Sequence, residues 1–446
     1  MKKSKLLQGL LEKLYRRIVQ NIRSKLFMMK ILWIINIVLP EAMKLLNIDN
    51  DLKTTGGWLL GAANILGNQT NIKLVVASPS TLVNNLCFLQ GEKIGYYILP
   101  MGKGNTHKNP DYRNYWRKIY EEFRPDIVHI HGTEYSHGLE YMEECGSDKV
   151  VISIQGLTSI YYKYYYGGIS AYEIFRHITL HDIIRGSIFH GKRRFQKRGE
   201  YEKEMIRRAR YIIGRTSWDK SHVWAINPHA HYYFCNETLR PAFYDGEEWV
   251  YANCRPHSIF LSQATYPIKG LQIVIKAMPL ILRKYPDAII RIAGTDVTRS
   301  KDGLWGILKI SGYGKIIKSM IKKYQLSSKV NFIGNLDAES MKNEYLRANV
   351  FVCPSSIENS PNSLGEAQIL GVPVIASYVG GVADMMKGDE DHLYRFEEVE
   401  MLAQKVCNVF ESLDNQTNMK DVAKKRHDRY ANLDSTIAIY KKIIYG

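Results

Sequence analysis

Two glutamates eight positions apart, Glu358 and Glu366, lie in the stretch of the sequence with the clearest chemical potential. A polar loop carries Glu358, and a helix is predicted to begin near Pro361, where proline is tolerated because its missing N–H would have no helical partner. Ser360 or Asn362 could cap this helix, whose free N–H groups and positive dipole end can bind a diphosphate. Glu366 could then accept two ribose hydroxyls, and Glu358 could hold another polyol. By spacing alone, two acids that simply favour a helix N-terminus are the better interpretation.

The elements that must position these residues are short apolar runs alternating with longer amphipathic stretches. Runs that are apolar on both faces and separated by helical patterns are typical of parallel sheets covered by helices. The pattern occurs twice, with a polar, turn-rich linker near 245–257. We therefore predict an α/β protein with two Rossmann-like doubly wound domains facing each other across a cleft, where substrates should bind. The predicted strands are 31–39, 72–77, 127–130, 150–154, 211–214, 259–262, 289–294, 330–333, 350–353 and 374–376.

Positive charge dominates the composition. The chain of 446 residues has 61 Lys and Arg against 44 Asp and Glu, a formal charge of +17 that implies an anionic partner. Residues 1–28 hold eight basic residues against Glu12, and their apolar residues recur at helical steps, which predicts a basic amphipathic leader. This leader attaches to an anionic membrane surface, or is a solvated helix, or precedes a true translation start at Met28 or Met29. A second basic cluster at 185–215 is interleaved with glutamates, which favours ion pairing on an exposed helix.

Composition and spacing exclude several classes of protein and site. An ordinary apolar fraction of 45% without low-complexity tracts excludes a disordered, collagenous or coiled-coil chain. No zinc-finger spacing or RNP-like aromatic run accompanies the basic residues, so no nucleic acid is expected as a partner. Six cysteines without a C-x-x-C pair indicate neither a disulfide framework nor a zinc site, and they favour a reducing, cytoplasmic compartment. The Asp-x-Asp pairs Asp49/Asp51 and Asp389/Asp391 are interpreted as ordinary loop acids, so no metal is expected.

The surroundings of the two glutamates closely resemble the donor-sugar motif of family 4 glycosyltransferases, the retaining enzymes with the GT-B fold. Gly371-Val-Pro-Val-Ile-Ala follows Glu366, and the glycine pair at 380–381 precedes Asp384. Lys269, which precedes a glycine, resembles the family's Lys-Gly element. Further matching segments are the strand ends at 292–294 and 330–334, the glycine loop at 54–57 and the histidine loop at 125–132. The resemblance covers about residues 29–425.

The resemblance implies a role for each matching residue. Lys269 would meet the donor diphosphate, Glu358 would orient the sugar, and His131 would face the reaction centre; His129 is expected to be packed. The expected donor-binding residues are Glu366, Asn359, Ser360, Asn362, Ser363, Leu364 and Gly334, and the expected glycine loop contains Gly56 and Gly57. One departure concerns the arginine that family members commonly carry shortly before the lysine, because this chain has Gln263 and Ala264 there. Arg215 and Arg291 are the candidates to replace it.

The implied activity is transfer of a sugar from a nucleotide-sugar donor to a hydroxyl of a glycan acceptor, with retention and without a metal or other cofactor. A lipid-linked intermediate of a surface polysaccharide is the expected acceptor, and the protein would be cytoplasmic, peripheral at the inner face of the cell membrane. A sugar-nucleotide epimerase of the same fold and a non-catalytic scaffold that binds nucleotide sugar or membrane remain alternatives. The predicted organisation is a leader (1–28), an acceptor-side domain (29–250), a nucleotide-sugar-binding domain (251–425) and a C-terminal helix (426–446). That helix either crosses back to the first domain or lies isolated on the surface.

Overall fold

The computed structural model describes residues 28–48, 57–101, 111–299, 310–412 and 419–446. The leader up to residue 27, Gly56 of the predicted glycine loop and the acids Asp49 and Asp51 lie outside the described residues. Among the described residues, no helix combines the length and apolar character needed to cross a membrane.

The first half of the chain forms a twisted sheet because its strands are apolar on both faces. Strand Met29–Ile34, for example, buries all of its side chains except that of Lys30, which is half-buried. The described strands of this sheet are β1 (Met29–Ile34), β2 (Ile72–Ser80), β3 (Cys87–Gln90), β4 (Gly95–Pro100), β5 (Ile127–His131), β6 (Val150–Ser153), β7 (Tyr211–Gly214) and β8 (His231–Phe234). Their order across the sheet is β3-β4-β2-β1-β5-β6-β7-β8, and every neighbouring pair is parallel except β3 with β4.

The second half forms a smaller sheet in which all described pairs are parallel. Its described strands are β9 (Ser258–Leu261), β10 (Ile289–Ile292), β11 (Val330–Phe332), β12 (Val350–Cys353), β13 (Val374–Ser377) and β14 (Leu393–Tyr394). Their order is β11-β10-β9-β12-β13-β14. The order reverses at β9, and the crevice beside such a reversal is where ligands bind in open α/β sheets.

Helices cover both faces of the two sheets, as expected for parallel strands. Those of the first half are α1 (Pro40–Leu45), α2 (Gly57–Gly67), α3 (Asp111–Phe123), α4 (His137–Cys145), α5 (Thr158–Tyr161), α6 (Ala171–Arg176), α7 (Leu180–Arg185), α8 (Ile188–Arg208) and α9 (Ser217–Ile226). Those that follow are α10 (Leu271–Lys284), α11 (Gly312–Lys323), α12 (Ala338–Leu346), α13 (Asn362–Leu370), α14 (Val382–Met385), α15 (Val399–Glu411), α16 (Lys420–Arg426) and α17 (Arg429–Tyr445).

The chain passes between the two halves twice. After β8, Phe243 and Trp249 pack into the core of the second sheet, and the Trp249 N–H donates to the Leu370 carbonyl at 2.8 Å. At the C-terminus, α17 returns and buries Leu433 and Tyr440 in the core of the first half. The two crossings tie the halves together on one side of the cleft.

The strand predictions fit the described structure except for four strands that were not predicted and one strand that ends early. The strand predicted at 31–39 ends at Ile34, and the following residues form a partly buried loop that leads into α1 at Pro40. Strands β3, β4, β8 and β14 were not predicted. Strands β3 and β8 are half-exposed, and β14 is two residues long. None of these three gives the continuous apolar run that marks a buried parallel strand.

Candidate active site

Lys269 and Glu358 form a short ion pair at the carboxyl ends of β9 and β12. The Lys269 Nζ donates to the Glu358 Oε1 at 2.6 Å, and the Ser355 Oγ donates to the same oxygen at 2.9 Å. The loops meet because Gly270 adopts a left-handed conformation (φ 75°), where a side chain would overlap the Pro354 carbonyl oxygen. The two residues that the sequence assigns to the diphosphate and the sugar are therefore neighbours.

The electrostatics of this pair keep Lys269 charged. Burial alone would lower the pKa of Lys269, but the Glu358 carboxylate outweighs it and raises that pKa above its ordinary value. Both side chains are largely buried, with 19% of the Lys269 side chain and 10% of the Glu358 side chain exposed. A charged lysine in such a site can neutralise a phosphate group.

A second ion pair joins Glu366 on α13 to Arg240, which lies in the segment that leads from the first half to the second. The Arg240 Nε and Nη2 donate to the two carboxylate oxygens of Glu366, each at 2.7 Å. Burial raises the pKa of the Glu366 carboxyl, and Arg240 opposes that rise. The carboxylate expected to accept ribose hydroxyls is thus held by a guanidinium in this structure.

The two arginines proposed from the sequence to replace the missing family arginine are engaged elsewhere. Arg215 donates to the Glu237 carboxylate at 2.6 Å and to the Gln155 carbonyl at 2.9 Å. Arg291 makes a two-point contact with Glu344, at 2.8 and 2.9 Å. Arg240 instead lines the same cavity as Lys269. No local pattern distinguishes Arg240, because its partner lies 126 positions further along the chain.

Helix α13 begins one residue later than predicted, with Pro361 at the N-cap position and no side-chain cap. Neither predicted capping residue acts as a cap: the Ser360 hydroxyl contacts the Met385 sulfur at 3.5 Å, and Asn362 is already the first helical residue. Among the described residues, the buried Asn362 Oδ1 has no hydrogen-bond partner. The cleft therefore receives the N-terminus of α13, where the backbone N–H groups of Asn362 and Ser363 have no acceptor within the helix and can face a ligand.

Four of the expected donor-binding residues, Asn359, Ser360, Leu364 and Gly334, do not line the cavity that Lys269 borders. Asn359 and Ser360 are buried in contacts with the first half, and Leu364 is fully buried in the second core. The Leu364 N–H donates to the Pro361 carbonyl at 3.0 Å, so this donor is engaged within the helix start. Gly334 has a left-handed backbone (φ 80°), and its neighbours Asn335 and Leu336 line the cavity.

Asn359 links the Glu358 loop to α9 of the first half. The Thr216 hydroxyl donates to the Asn359 Oδ1 at 2.6 Å, and the Asn359 Nδ2 donates to the Asp219 Oδ2 at 2.9 Å. Ser217 adds hydrogen bonds from its N–H and its hydroxyl to Asp384. We call Thr216, Asp219 and Asn359 the interdomain latch. The latch gives the buried Asp219 a structural role.

The two ion pairs, Lys269–Glu358 and Arg240–Glu366, line a cavity of about 500 Å³ between the two halves. It is open to solvent and mixes backbone, polar and charged groups. Its lining includes Gly57, Trp58, Arg240, Lys269, Glu358, Asn362, Ser363 and Glu366. A bound molecule would meet two cations, two carboxylates and a helix N-terminus, which suits a diphosphate joined to two polyols.

Gly57 begins α2 on the opposite wall of this cavity. A side chain at Gly57 would approach the Arg240 Cγ to 3.1 Å, so the glycine gives the arginine stem room to reach Glu366. Trp58 follows it and borders both this cavity and a second one of about 360 Å³ in the first half. Trp58 therefore lies between the two cavities.

His131 ends β5 and lines the second cavity. Its ring stacks on His129 at 3.7 Å between centroids and lies 4.3 Å from the Trp33 ring. Burial and the neighbouring His129 hold the pKa of His131 well below its ordinary value, and neither of its buried ring nitrogens has a hydrogen-bond partner among the described residues. His131 is therefore a neutral imidazole that a substrate hydroxyl could satisfy. His129, by contrast, is hydrogen-bonded to Tyr440 at 2.5 Å and to Ser153 at 2.6 Å.

Two further polar residues beside His131 were not predicted from the sequence. Glu134 lines the same cavity, and burial raises its pKa to about 7. Arg198 on α8 also lines this cavity, and its guanidinium lies 4.4 Å from the centroid of the Tyr135 ring. Glu134 lies three residues after His131, so an acid close to a strand end was the available signal. Nothing in the sequence distinguished Arg198 from the other residues of the basic cluster.

The C-terminal part of the second basic cluster forms the ion pairs expected from its interleaved acids. Lys203 pairs with Glu200, and Arg207 and Arg208 pair with Glu204, all within α8. Glu202 instead turns inward and accepts hydrogen bonds from the first half, including one from the Ser159 N–H at 2.9 Å. In the described part of the chain, no three His, Cys, Asp or Glu residues are grouped as a metal site would need.

Comparison with known proteins finds a family match for most of the second half. Residues 254–426 match the model of the family described as Glycosyl transferases group 1. Phosphatidyl-myo-inositol mannosyltransferase from Propionibacterium freudenreichii is 27% identical over 137 residues, which cover 30% of this chain and 29% of that protein. The chain spans 29% to 36% of the length of the first curated relatives it matches.

Solved structures resemble the chain over nearly its whole described length. Sucrose-phosphate synthase from Thermosynechococcus elongatus has a TM-score of 0.66 at 16% identity, and the match covers 93% of this chain and 99% of that structure. HepE from Anabaena in complex with UDP-glucose has a TM-score of 0.59 at 13% identity, covering 92% and 100%. Identities this low concern the fold alone. The predicted GT-B architecture, with two Rossmann-like domains across a cleft, is confirmed.

Proposed function

We propose that this chain, a member of the group 1 glycosyltransferase family through residues 254–426, transfers a sugar from a nucleotide-sugar donor to a hydroxyl of a glycan acceptor with retention. The observation that carries the proposal is the Lys269–Glu358 ion pair, which faces the N-terminus of α13 in one cavity. A cation and a helix N-terminus suit the diphosphate of the donor, and a neighbouring carboxylate suits its sugar hydroxyls.

The leaving diphosphate is the group that most needs stabilisation during transfer. Lys269 and the free N–H groups at the start of α13 would neutralise the charge that develops on it. Arg240 would supply the second positive charge, because it borders the same cavity. It would replace the family's arginine, which is absent from this chain at Gln263 and Ala264. Binding of the diphosphate would then loosen both ion pairs and release Glu358 for the sugar and Glu366 for the ribose.

Sugar and acceptor are proposed to meet at Trp58, between the two cavities. Glu358 would orient the sugar, which lowers the barrier by fixing the reacting atoms. The acceptor hydroxyl would attack from the face that the diphosphate leaves, and the departing phosphate oxygen would take its proton. His131, a neutral imidazole with free nitrogens, would hold a hydroxyl of the sugar or the acceptor.

A lipid-linked glycan is the proposed acceptor, and the inner surface of a membrane the proposed location. Curated relatives include a phosphatidyl-myo-inositol mannosyltransferase and a phosphatidylinositol N-acetylglucosaminyltransferase subunit, whose names refer to lipid acceptors. The net charge of +17 favours an anionic surface. No metal or cofactor is proposed, because Lys269, Arg240 and the helix N-terminus would together neutralise the donor.

A thermal-shift screen across nucleotide sugars tests the proposal first, since a ligand that binds only the folded state raises its stability. The best donor is then used in transfer assays, with the product anomer assigned by NMR. We expect Glu358→Ala to lower transfer by at least about 100-fold, and the exposed Glu339→Ala, on α12, to leave it unchanged. Near-normal transfer by Glu358→Ala, or an inverted anomer, would contradict the proposal.

A further inference from the structure

Helices α6 and α7 form part of an insertion between β6 and β7 that is fixed against the second half. Ile174 of α6 and Ile188, at the start of α8, are buried members of the core of the second half. The Asp182 carboxylate of α7 is also buried and accepts hydrogen bonds from the Gly312 N–H at 2.9 and 3.0 Å. One face of each short helix is therefore held by the body of the protein.

The other faces of α6 and α7 carry large apolar side chains in contact with solvent. Positions i and i+3 of α6, and i, i+3 and i+4 of α7, lie on one side of each helix. The exposed side chains and their exposed fractions are Tyr172 (73%), Phe175 (69%), Leu180 (49%), Ile183 (73%) and Ile184 (71%). We call these five residues the apolar patch. An exposed apolar cluster of this kind marks an interaction surface, whereas scattered single residues do not.

Basic residues accompany the apolar patch. Residues 171–198 contain seven Lys and Arg but only two acids, and one of these acids, Asp182, is buried. Arg176 and Arg185 are exposed at the ends of the two helices, and Arg193 and Arg194 are exposed on α8. Aromatic and branched apolar side chains beside arginines are the chemistry of helices that lie in the interface of an anionic bilayer. A purely apolar protein partner would not require this charge.

We propose that the apolar patch docks this protein on the surface of an anionic lipid bilayer. Phe175, Ile183 and Ile184 would enter the boundary between headgroups and acyl chains, while Arg176 and Arg185 contact lipid phosphates. The inference rests on the proposed function, in which the acceptor is a lipid-linked glycan. It adds the surface with which the protein would bind the membrane that contains this acceptor. Since α6 and α7 pack on the second half, docking would orient the cleft relative to the membrane.

The test is binding of the full-length chain to vesicles, without donor or acceptor. Equimolar phosphatidylglycerol and phosphatidylcholine provide an anionic surface, and pure phosphatidylcholine provides a neutral one. The patch variant is Phe175→Ser/Ile183→Ser/Ile184→Ser. A matched control replaces three exposed apolar residues on other helices, Leu45→Ser/Trp224→Ser/Val422→Ser.

We expect the patch variant to bind anionic vesicles at least about 100-fold more weakly than the wild type, and the control to bind like the wild type. Arg176→Glu/Arg185→Glu should also weaken binding, and all binding to neutral vesicles should be weak. The melting temperature of the patch variant should equal that of the wild type, because its substituted side chains contact solvent. Equal vesicle binding by patch variant and wild type would overturn the proposal and leave another surface, such as the leader, as the anchor.

Two other occupants of the apolar patch would give different results. A lower melting temperature for the patch variant would mean that another part of this chain covers the patch. A wild-type dimer that the patch variant converts to a monomer would mean that a second copy covers it. Either result, with unchanged vesicle binding, overturns the proposal. Failure of the proposed function is distinguishable, since vesicle binding that depends on the patch would stand even if no nucleotide sugar bound.

Discussion

Arg240 and Glu366 form a two-point ion pair across the connection between the two halves of the chain, with both N–O distances at 2.7 Å. Only 5% of the Glu366 side chain is exposed, against 24% of that of Arg240. Burial raises the pKa of Glu366, while its hydrogen bonds and charge interaction with Arg240 act in the opposite direction. The arginine therefore supports the charged form of a carboxylate that would otherwise be neutral more often.

Removing Arg240 alone should destabilise the protein, because the Glu366 carboxylate would be left buried without its partner. We expect Arg240→Ala to lower the free energy of unfolding by about 3 kcal/mol. The double variant Arg240→Ala/Glu366→Gln should recover most of this loss, since it removes the uncompensated charge. Urea denaturation of the two single variants and the double variant measures the coupling. Additive effects would mean that the pair contributes nothing as a pair.

The raised pKa of Glu134 should make the free energy of unfolding depend on pH. Burial raises its pKa to about 7 from an ordinary 4.5, so between these values the unfolded chain releases the proton while the folded chain keeps it. The Glu134 contribution to the free energy of unfolding therefore falls as pH rises through this window, by up to about 3 kcal/mol. Glu134→Gln keeps the neutral shape and should be more stable than the wild type at pH 8, with the advantage disappearing near pH 4.5. Denaturation at both pH values measures it, and an equal difference at both would contradict the assignment.

The interdomain latch should act on catalysis through the neighbouring Glu358. Asn359→Ala removes the hydrogen bonds with Thr216 and Asp219, so we expect a loss of about 2 kcal/mol in stability. We also expect kcat for transfer to fall by about tenfold, because Glu358 would be less precisely oriented. The exposed Asn64→Ala serves as a control and should change neither value. A loss of stability with unchanged kcat at a permissive temperature would mean that the latch is only structural.

The hydroxyl of Tyr440 should be needed to hold α17 against the first half. It accepts a hydrogen bond from the Trp33 Nε1 at 3.0 Å and is hydrogen-bonded to the His129 Nδ1 at 2.5 Å. Tyr440→Phe leaves both partners buried and unsatisfied, which should cost about 2 kcal/mol. Tyr430→Phe, on the same helix but 60% exposed, should have no effect on thermal unfolding. Equal melting temperatures for the two variants would contradict this account.

Local patterns were sufficient for most strands, because a strand buried on both faces is a continuous apolar run. Spacing alone did not single out Glu358, and it was the resemblance to a known family that made Lys269 and Glu358 candidates for one site. The interdomain latch and the Arg240–Glu366 pair join residues between 126 and 143 positions apart, so no local pattern predicts them. The prediction that Ser360 caps α13 was wrong for a related reason. The Ser360 hydroxyl contacts the Met385 sulfur in the fold, and the loop sequence does not indicate this contact.

Residues 239–249 contribute side chains to the core of the second half, and this affects how chimaeric proteins should be designed. Grafting only the stretch that matches the family model, 254–426, onto another acceptor half would leave behind Arg240, Phe243 and Trp249. The grafted unit would lose the counter-charge of Glu366 and part of its own hydrophobic core. An exchange of second halves between relatives should therefore place its first junction before Arg240 rather than in the linker.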